Sequence, residues 1–372
     1  MDFALTADQR AARELFASFA DNEIRPAAAD LDRNPRFPAE LFHRVGELGF
    51  FGMRYPEPLG GGADRVSYLV AVEELARGSL AVAAVCTMQS LMGTFFVHRF
   101  AAGEVRDRLL GPALAGDVIG AICMTEPGAG SDLFSMTTSA EEKDDVWLLS
   151  GQKTWITSAP VADMFTVFAR TGDSDLSIFL VEQGAPGLTV GRAIDKMGVR
   201  ASLTSEVFFD GTPATCMLGK RGEGIAGLRE ILAEIRLMTA ALAIGVGRAA
   251  FEDAVAYATQ RVQFGRPIAK FQAIQAHLAE MRTKLEAARQ LTYWAAWRSD
   301  MGEEDTDESA MAKLFASETA MEICDRAARI MASYGYASEY PVERYLRDVR
   351  FTIIGGGTSE LLRINIARGL IR

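Results

Sequence analysis

The chain has 372 residues and a formal net charge of −10, with acids and bases mixed along its length rather than in blocks. That length leaves room for two or three domains, and the charge disfavours nucleic acid or an anionic membrane as main partner, since both need a basic face. The 4 cysteines form no CxxC pair and the 3 histidines have no ligand spacing, so no metal site or disulfide framework is expected and a cytoplasmic setting is.

The N-terminal segment MDFALTADQRAARELF is charged and lacks a signal-peptide core. Residues from about 5 to 115 read as helices: Ala12, Leu15, Phe16 and Phe19 share one face, and Pro38 opens a second helix. Tyr55–Arg65, YPEPLGGGADR, is a Pro/Gly loop. From about 120 to 215 short Val-, Ile-, Phe- and Thr-rich runs, among them DVWLLSGQKTWITSA, MFTVFAR and LSIFLVEQ, predict an antiparallel β domain without βαβ alternation.

From about 222 long helical patterns return. The first has a middle of Ala, Gly and Ile that other helices can approach closely, and its most apolar run, Leu237–Gly247, is too short to span a bilayer. Two more helices follow, split by the acidic turn MGEEDTD. The expected architecture is mainly α with a central β domain, divided into a helical domain at 1–119, a β domain at 120–220 and a C-terminal helical bundle at 221–372.

Five motifs could carry chemistry. GEGIAG at 222–227 fits GxGxxG in letters, but a long helix and no second parallel strand follow, so it reads as a loop-to-helix junction. CMTEPGAGSD at 123–132 is either a polar turn or a loop presenting N–H and O–H donors to a polar ring or phosphate. In KTWITSA alternation puts Trp155 and Thr157 on one strand face, suited to a flat heteroaromatic ligand or, for the indole, to a core. QRVQFGRPIAKFQAIQ breaks two helices with Arg261, Gln263, Phe264 and Arg266, donors for a pyrophosphate or a solvated turn. IIGGGTSE at 353–360 is either a flexible turn or a close approach of backbone to ligand.

In this order MTEPGAGSD, KTWITSA, RVQFGRPIAKFQAIQ, YGYASEYPVERYLRD and GGGTSE resemble the segments of the acyl-CoA dehydrogenase family of flavoproteins, over nearly the whole chain. The resemblance implies an N-terminal helical domain, a middle β domain and a C-terminal four-helix bundle. It implies FAD between the last two, reaching a neighbouring subunit, and hence a homodimer or homotetramer, with a hetero-oligomer as the variant.

Carried over by position, Met124, Thr125, Gly130 and Ser131 would line the flavin, with Ser131 also near the bound thioester. Trp155 would pack on the isoalloxazine and Thr157 would bond near its N5. Arg261, Gln263, Phe264 and Gln272 would hold the adenosine diphosphate half from the partner subunit, with Thr358 and Glu360 touching that half as well. Arg329 stands where the family often has Gln or Glu and could pair with a phosphate, and Ala332 and Ser333 stand where it usually has Gly-Gly.

The implied reaction is α,β-dehydrogenation of an acyl thioester, on CoA or an acyl carrier protein, with an electron-transfer flavoprotein or oxygen as acceptor. It requires donors for the enolate oxygen and a carboxylate base for the α-proton. In most of the family that base is a Glu at the position of Gly356, and in a subgroup it precedes the Arg matching Arg236, the position of Ile235. Both positions have lost it, although Gly356 keeps the N–H that would bind the thioester oxygen.

Glu234 is the nearest substitute, one residue and roughly 100° around the helix from Ile235. The alternatives are a flavin-binding subunit paired with a base-bearing paralogue, and a flavin monooxygenase on the same fold.

Overall fold

The computed structural model describes residues 4–172, 175–303 and 306–371; residues 304 and 305 of the acidic turn lie outside them. Helices α1 (Ala7–Phe19), α2 (Arg25–Arg33), α3 (Ala39–Glu47), α4 (Arg65–Gly78), α5 (Leu80–Met88), α6 (Thr94–Phe100) and α7 (Gly103–Ala115) form the first layer. Thr6 caps α1 in a reciprocal capping box with Gln9, and Asp64 caps α4 by accepting from Ser67 N–H.

Leu80–Phe100 is apolar enough by composition to cross a membrane, but 89% of its window is buried inside the protein, as for a core helix. A π-turn at Gln89–Gly93 joins α5 to α6. The buried Gln89 amide donates to Ala113 O and Val118 O and accepts from Gly120 N–H, tying this layer to the first strand.

Strands β1 (Gly120–Cys123), β2 (Ser139–Lys143), β3 (Val146–Thr157), β4 (Met164–Arg170), β5 (Leu176–Glu182), β6 (Leu188–Ala193), β7 (Thr204–Pro213) and β8 (Cys216–Leu218) form one sheet in the order β6-β7-β3-β2-β4-β5-β8, with β1 on β4. It is antiparallel as expected except that β1 and β2 run parallel to β4. One face packs Leu149, Ile156, Phe165 and Phe179 into a core of its own, while Phe168 and Ile178 join the main helical core.

The sheet leads into α8 (Gly224–Gln260), which begins at the GEGIAG junction. A short hairpin of β9 (Val262–Gln263) and β10 (Arg266–Pro267) precedes α9 (Gln272–Asp300), α10 (Thr306–Met331), α11 (Pro341–Asp348) and α12 (Ser359–Leu370). The middle of α8 is buried from Ile235 to Gly247. A Cβ at Gly245 would lie 2.4 Å from Glu73 O, so glycine is what lets α4 cross there.

The same crossing buries charge. Glu73 accepts from Arg248, Arg289 and Tyr293, and Glu74 from Arg77 and Arg248. These carboxylates face enough guanidinium groups to offset their desolvation, the condition for tolerating buried ions.

Candidate functional site

The expected site residues fall into three groups. The first is at the end of β3. A register shift between Lys153 and Ile156 marks a bulge, and Trp155 takes a left-handed φ of +59°. Lys153 and Thr154 are therefore buried in succession, while Trp155 is 57% exposed and Thr157 half-buried, both outward of the buried Ile156. The indole is thus not core. A bulky residue at positive φ costs of order 1–3 kcal/mol, strain that collects at ligand sites.

Residues 124–131 lie beside that strand end, since Thr154 N–H donates to Thr125 O at 2.9 Å. Met124 and Thr125 are half-buried and Gly130 and Ser131 exposed. A Cβ at Gly128 or Gly130 would meet nothing within 4 Å, leaving backbone open to a ligand.

The lock that joins the two motifs escaped the sequence reading. Lys153 is fully buried and its Nζ donates to Glu126 at 2.8 Å and to Met124 O at 3.2 Å. Glu126 also accepts from Thr137 N–H and Oγ1 and from Thr138 N–H. Although burial alone would raise it, these donors pull the Glu126 carboxyl down to about 2. Both residues lie inside the quoted motifs, but their pairing is 27 residues apart in sequence and needs the sheet.

The second group is the β9–β10 hairpin. Phe264 and Gly265 both have positive φ, as a tight two-residue turn demands, and Phe264 is 93% exposed. Arg261, Gln263 and Gln272 are exposed around it, and Arg261 lies 5.5 Å from the Tyr334 ring. Next to Tyr334, Ala332 has φ +52°, the conformation that suits a glycine at that place. Arg329 is ion-paired with Asp325 at 2.9 Å on the exposed side of α10. Among the described residues no hydrogen bond or ion pair joins this hairpin to the first group.

The third group surrounds the glycines. Val199 N–H donates to Asp348 at the end of α11, and the chain then turns through Phe351, whose carbonyl accepts from Ile354 and Gly355 N–H. Burial pushes the Asp348 carboxyl up to about 6. The next amide, Gly356 N–H, donates to no atom of the described residues. Gly356 and Gly357 have φ of +70° and +100°.

A Cβ on Gly356 would lie 2.8 Å from Thr239 Oγ1 and 3.7 Å from Ile235 Cγ2. The two positions where the resemblance would place the base therefore face each other, and neither bears a carboxylate. Thr239 donates its hydroxyl hydrogen to Ile235 O at 2.8 Å. Behind the glycines the buried Lys313 donates to Gly357 O at 2.6 Å, and burial with the nearby Arg236 brings its ammonium down to about 8. Arg236 is itself buried next to Ile235, and Thr358 caps α12, with Glu360 exposed in its first turn. Lys313 was not legible as a site residue, because no motif marks it.

Glu234 is placed elsewhere. It is ion-paired with Arg54 and, at 3.0 Å, with Arg65, in a crevice also lined by Arg229 and Arg298. The helix turn that directs Ile235 and Thr239 at Gly356 directs Glu234 away from it.

Family models match in three consecutive pieces: "Acyl-CoA dehydrogenase, N-terminal domain" at 6–117, "middle domain" at 121–212 and "C-terminal domain" at 222–371. A benzylmalonyl-CoA dehydrogenase of Aromatoleum aromaticum is 58% identical over 99% of each chain. A 3-(aryl)acrylate reductase of Clostridium sporogenes is 40% identical over 97% of each. The solved butyryl-CoA dehydrogenase of Megasphaera elsdenii superposes with a TM-score of 0.96 at 36% identity, over 100% of both chains. The chain belongs to the acyl-CoA dehydrogenase family.

Proposed function

We propose that this chain dehydrogenates the α,β bond of a 2-(arylmethyl)malonyl thioester, with FAD as the bound oxidant. Dehydrogenation of an acyl thioester follows from the family. The aryl and malonyl parts rest on the names of the two relatives given above, one a benzylmalonyl and the other an arylacrylate enzyme.

The observation that carries the reading is the strained, outward Trp155 beside the open backbone of 124–131, an aromatic platform next to donors. These residues suit a flavin: Met124, Thr125, Gly130 and Ser131 along it, Trp155 on its ring and Thr157 at its edge. Arg261, Gln263, Phe264 and Gln272, with Thr358 and Glu360, would hold the diphosphate half across a subunit boundary. FAD held there would supply the two-electron oxidant for the Cβ–H bond.

The chain's own residues supply the rest. Gly356 N–H, which has no acceptor among the described residues, would bond the thioester oxygen, and Lys313 holds the Gly357 carbonyl beside it. Glu234, engaged by Arg54 and Arg65, is a structural carboxylate in this reading and no side chain serves as α-base. Anaerobic mixing with thioesters tests the proposal. A benzylmalonyl thioester bleaches the flavin absorbance fastest, and Glu234→Gln leaves that rate within about twofold. No bleaching with any CoA or carrier-protein thioester would refute it.

A further inference from the structure

We infer that Asp348 is a positioning residue: through one loop of the β domain it fixes the strand end that carries Trp155 and Thr157 relative to the glycine turn. That loop, residues 194–203, joins β6 to β7. Its root belongs to the first group. Thr204 pairs with Thr157 in the sheet, Ser158 N–H donates to Leu203 O at 2.8 Å, and Ile194 N–H donates to Thr204 O at 2.8 Å. Its tip belongs to the third group. Val199 N–H donates to Asp348 Oδ1 at 2.5 Å, and Arg347 donates to Met197 O at 3.0 Å. Gly198 lies so close to the end of α11 that a Cβ there would sit 2.5 Å from Arg347 O.

Beyond Asp348 the chain reaches the glycines through a tied turn. The Thr352 hydroxyl donates to Val349 O at 2.8 Å and Gly355 N–H donates to Phe351 O at 2.9 Å. A displacement of Asp348 is therefore carried to Gly356.

The latch is made of two locally unfavourable pieces. Val199 is β-branched yet takes a φ of +45°, a region such side chains avoid. Asp348 is 2% exposed, and among the described residues Val199 N–H is the one donor to its carboxylate. The charged groups around it are engaged elsewhere or act through space. Arg347 donates to Asp32 and Glu343, Lys196 to Ser202 O and Thr204 Oγ1, and Arg344 contributes its field alone. A packed apolar pair would join the two surfaces without burying a charge. A bond from one amide to one carboxylate oxygen instead fixes where they meet. A flavin held by one domain and a thioester held by another need that precision.

Two variants open the latch from opposite sides. Asp348→Leu removes the acceptor, and Gly198→Ala pushes the loop off Arg347 O; either one decides if the other fails to fold. Hydrogen–deuterium exchange, read by mass spectrometry, should quicken about tenfold or more over both 154–158 and 351–357, with α9 at the wild-type rate. Quickening in one segment only, or in neither, would overturn the inference. Equal quickening in α9 would do the same, as the mark of a contact that merely stabilises.

A second readout rests on the cofactor and substrate class just proposed. In the FAD-loaded variants the limiting rate of flavin reduction by benzylmalonyl thioester should fall roughly tenfold or more, while the half-saturating thioester concentration changes less than about twofold. Asp348→Asn keeps an oxygen acceptor and should recover most of the lost rate; an Asn variant as slow as the Leu variant would overturn the acceptor role. Wild-type rates in folded, latch-opened variants would overturn the positioning role and leave the substrate class standing. A wild-type enzyme that no thioester bleaches would refute the proposed function instead, and the exchange measurement would still decide the latch.

Discussion

The β-domain group and the glycine group of the candidate site treat charge in opposite ways. On the β-domain side a fully buried lysine meets a buried carboxylate that has four donors, and the strand is bulged and strained to turn Trp155 outward. On the helical side Gly356 faces Ile235 and Thr239 with no carboxylate between them, and Glu234 is ion-paired with Arg54 and Arg65. The difference separates two requirements of one reaction. Holding a polar heteroaromatic cofactor would need fixed donors, whereas the helical side offers a backbone N–H without an acceptor among the described residues beside small and apolar side chains.

Breaking the polar side should have the largest effect. Glu126→Gln leaves Lys153 charged and buried without a counter-ion, at a cost of about 3–5 kcal/mol in urea unfolding, with weaker FAD retention. Adding Lys153→Met should recover most of the stability, and a double variant as unstable as the single one would refute the coupling.

The same carboxylate sets an acid limit. Its folded-state value near 2 lies below the ordinary value of 4.5, so its contribution is complete above about pH 4.5 and is lost as pH falls through 2. The loss is on the order of 3 kcal/mol, and it should vanish from the unfolding profile of the double variant.

Trp155→Gly should move two quantities in opposite directions. Relief of the positive φ stabilises the apoprotein by about 1 kcal/mol, while loss of the platform weakens FAD binding roughly tenfold or more. Parallel changes in both would mean that the indole is structural.

A stability effect of comparable size is expected from Lys313→Met on the other side. The folded-state ammonium value near 8 lies below 10.5, so wild-type stability rises with pH between those limits, and the variant should lose that slope. Its unfolding free energy at pH 7 should change by only about 1–2 kcal/mol. Its turnover should fall further than that, because the glycine backbone is no longer held.

Much of the fold is visible in the sequence because periodicity reports burial directly. The helical, β and helical zones, the break at 261–271 and the junction at GEGIAG all follow from local pattern. Trp155 is the instructive departure. Alternation correctly put it on the face of Thr157, but a bulge that the pattern does not encode turned it out of the core and into strain. Glu234 shows the reverse limit. Adjacency along the chain suggested a base, and only the tertiary structure shows that Arg54 and Arg65 from a distant segment pair with it.

By itself the sequence determined which residue types are present at each station: donors and an aromatic for a flavin, and glycine and isoleucine where the base would be. Only the tertiary structure decided that Gly356 and Ile235 form one wall, that Thr239 closes it with its hydrogen already spent, and that Lys153 locks onto Glu126 and Lys313 onto Gly357 O. These are contacts between residues far apart in the chain. Their chemistry depends on distance and desolvation, which no local pattern records.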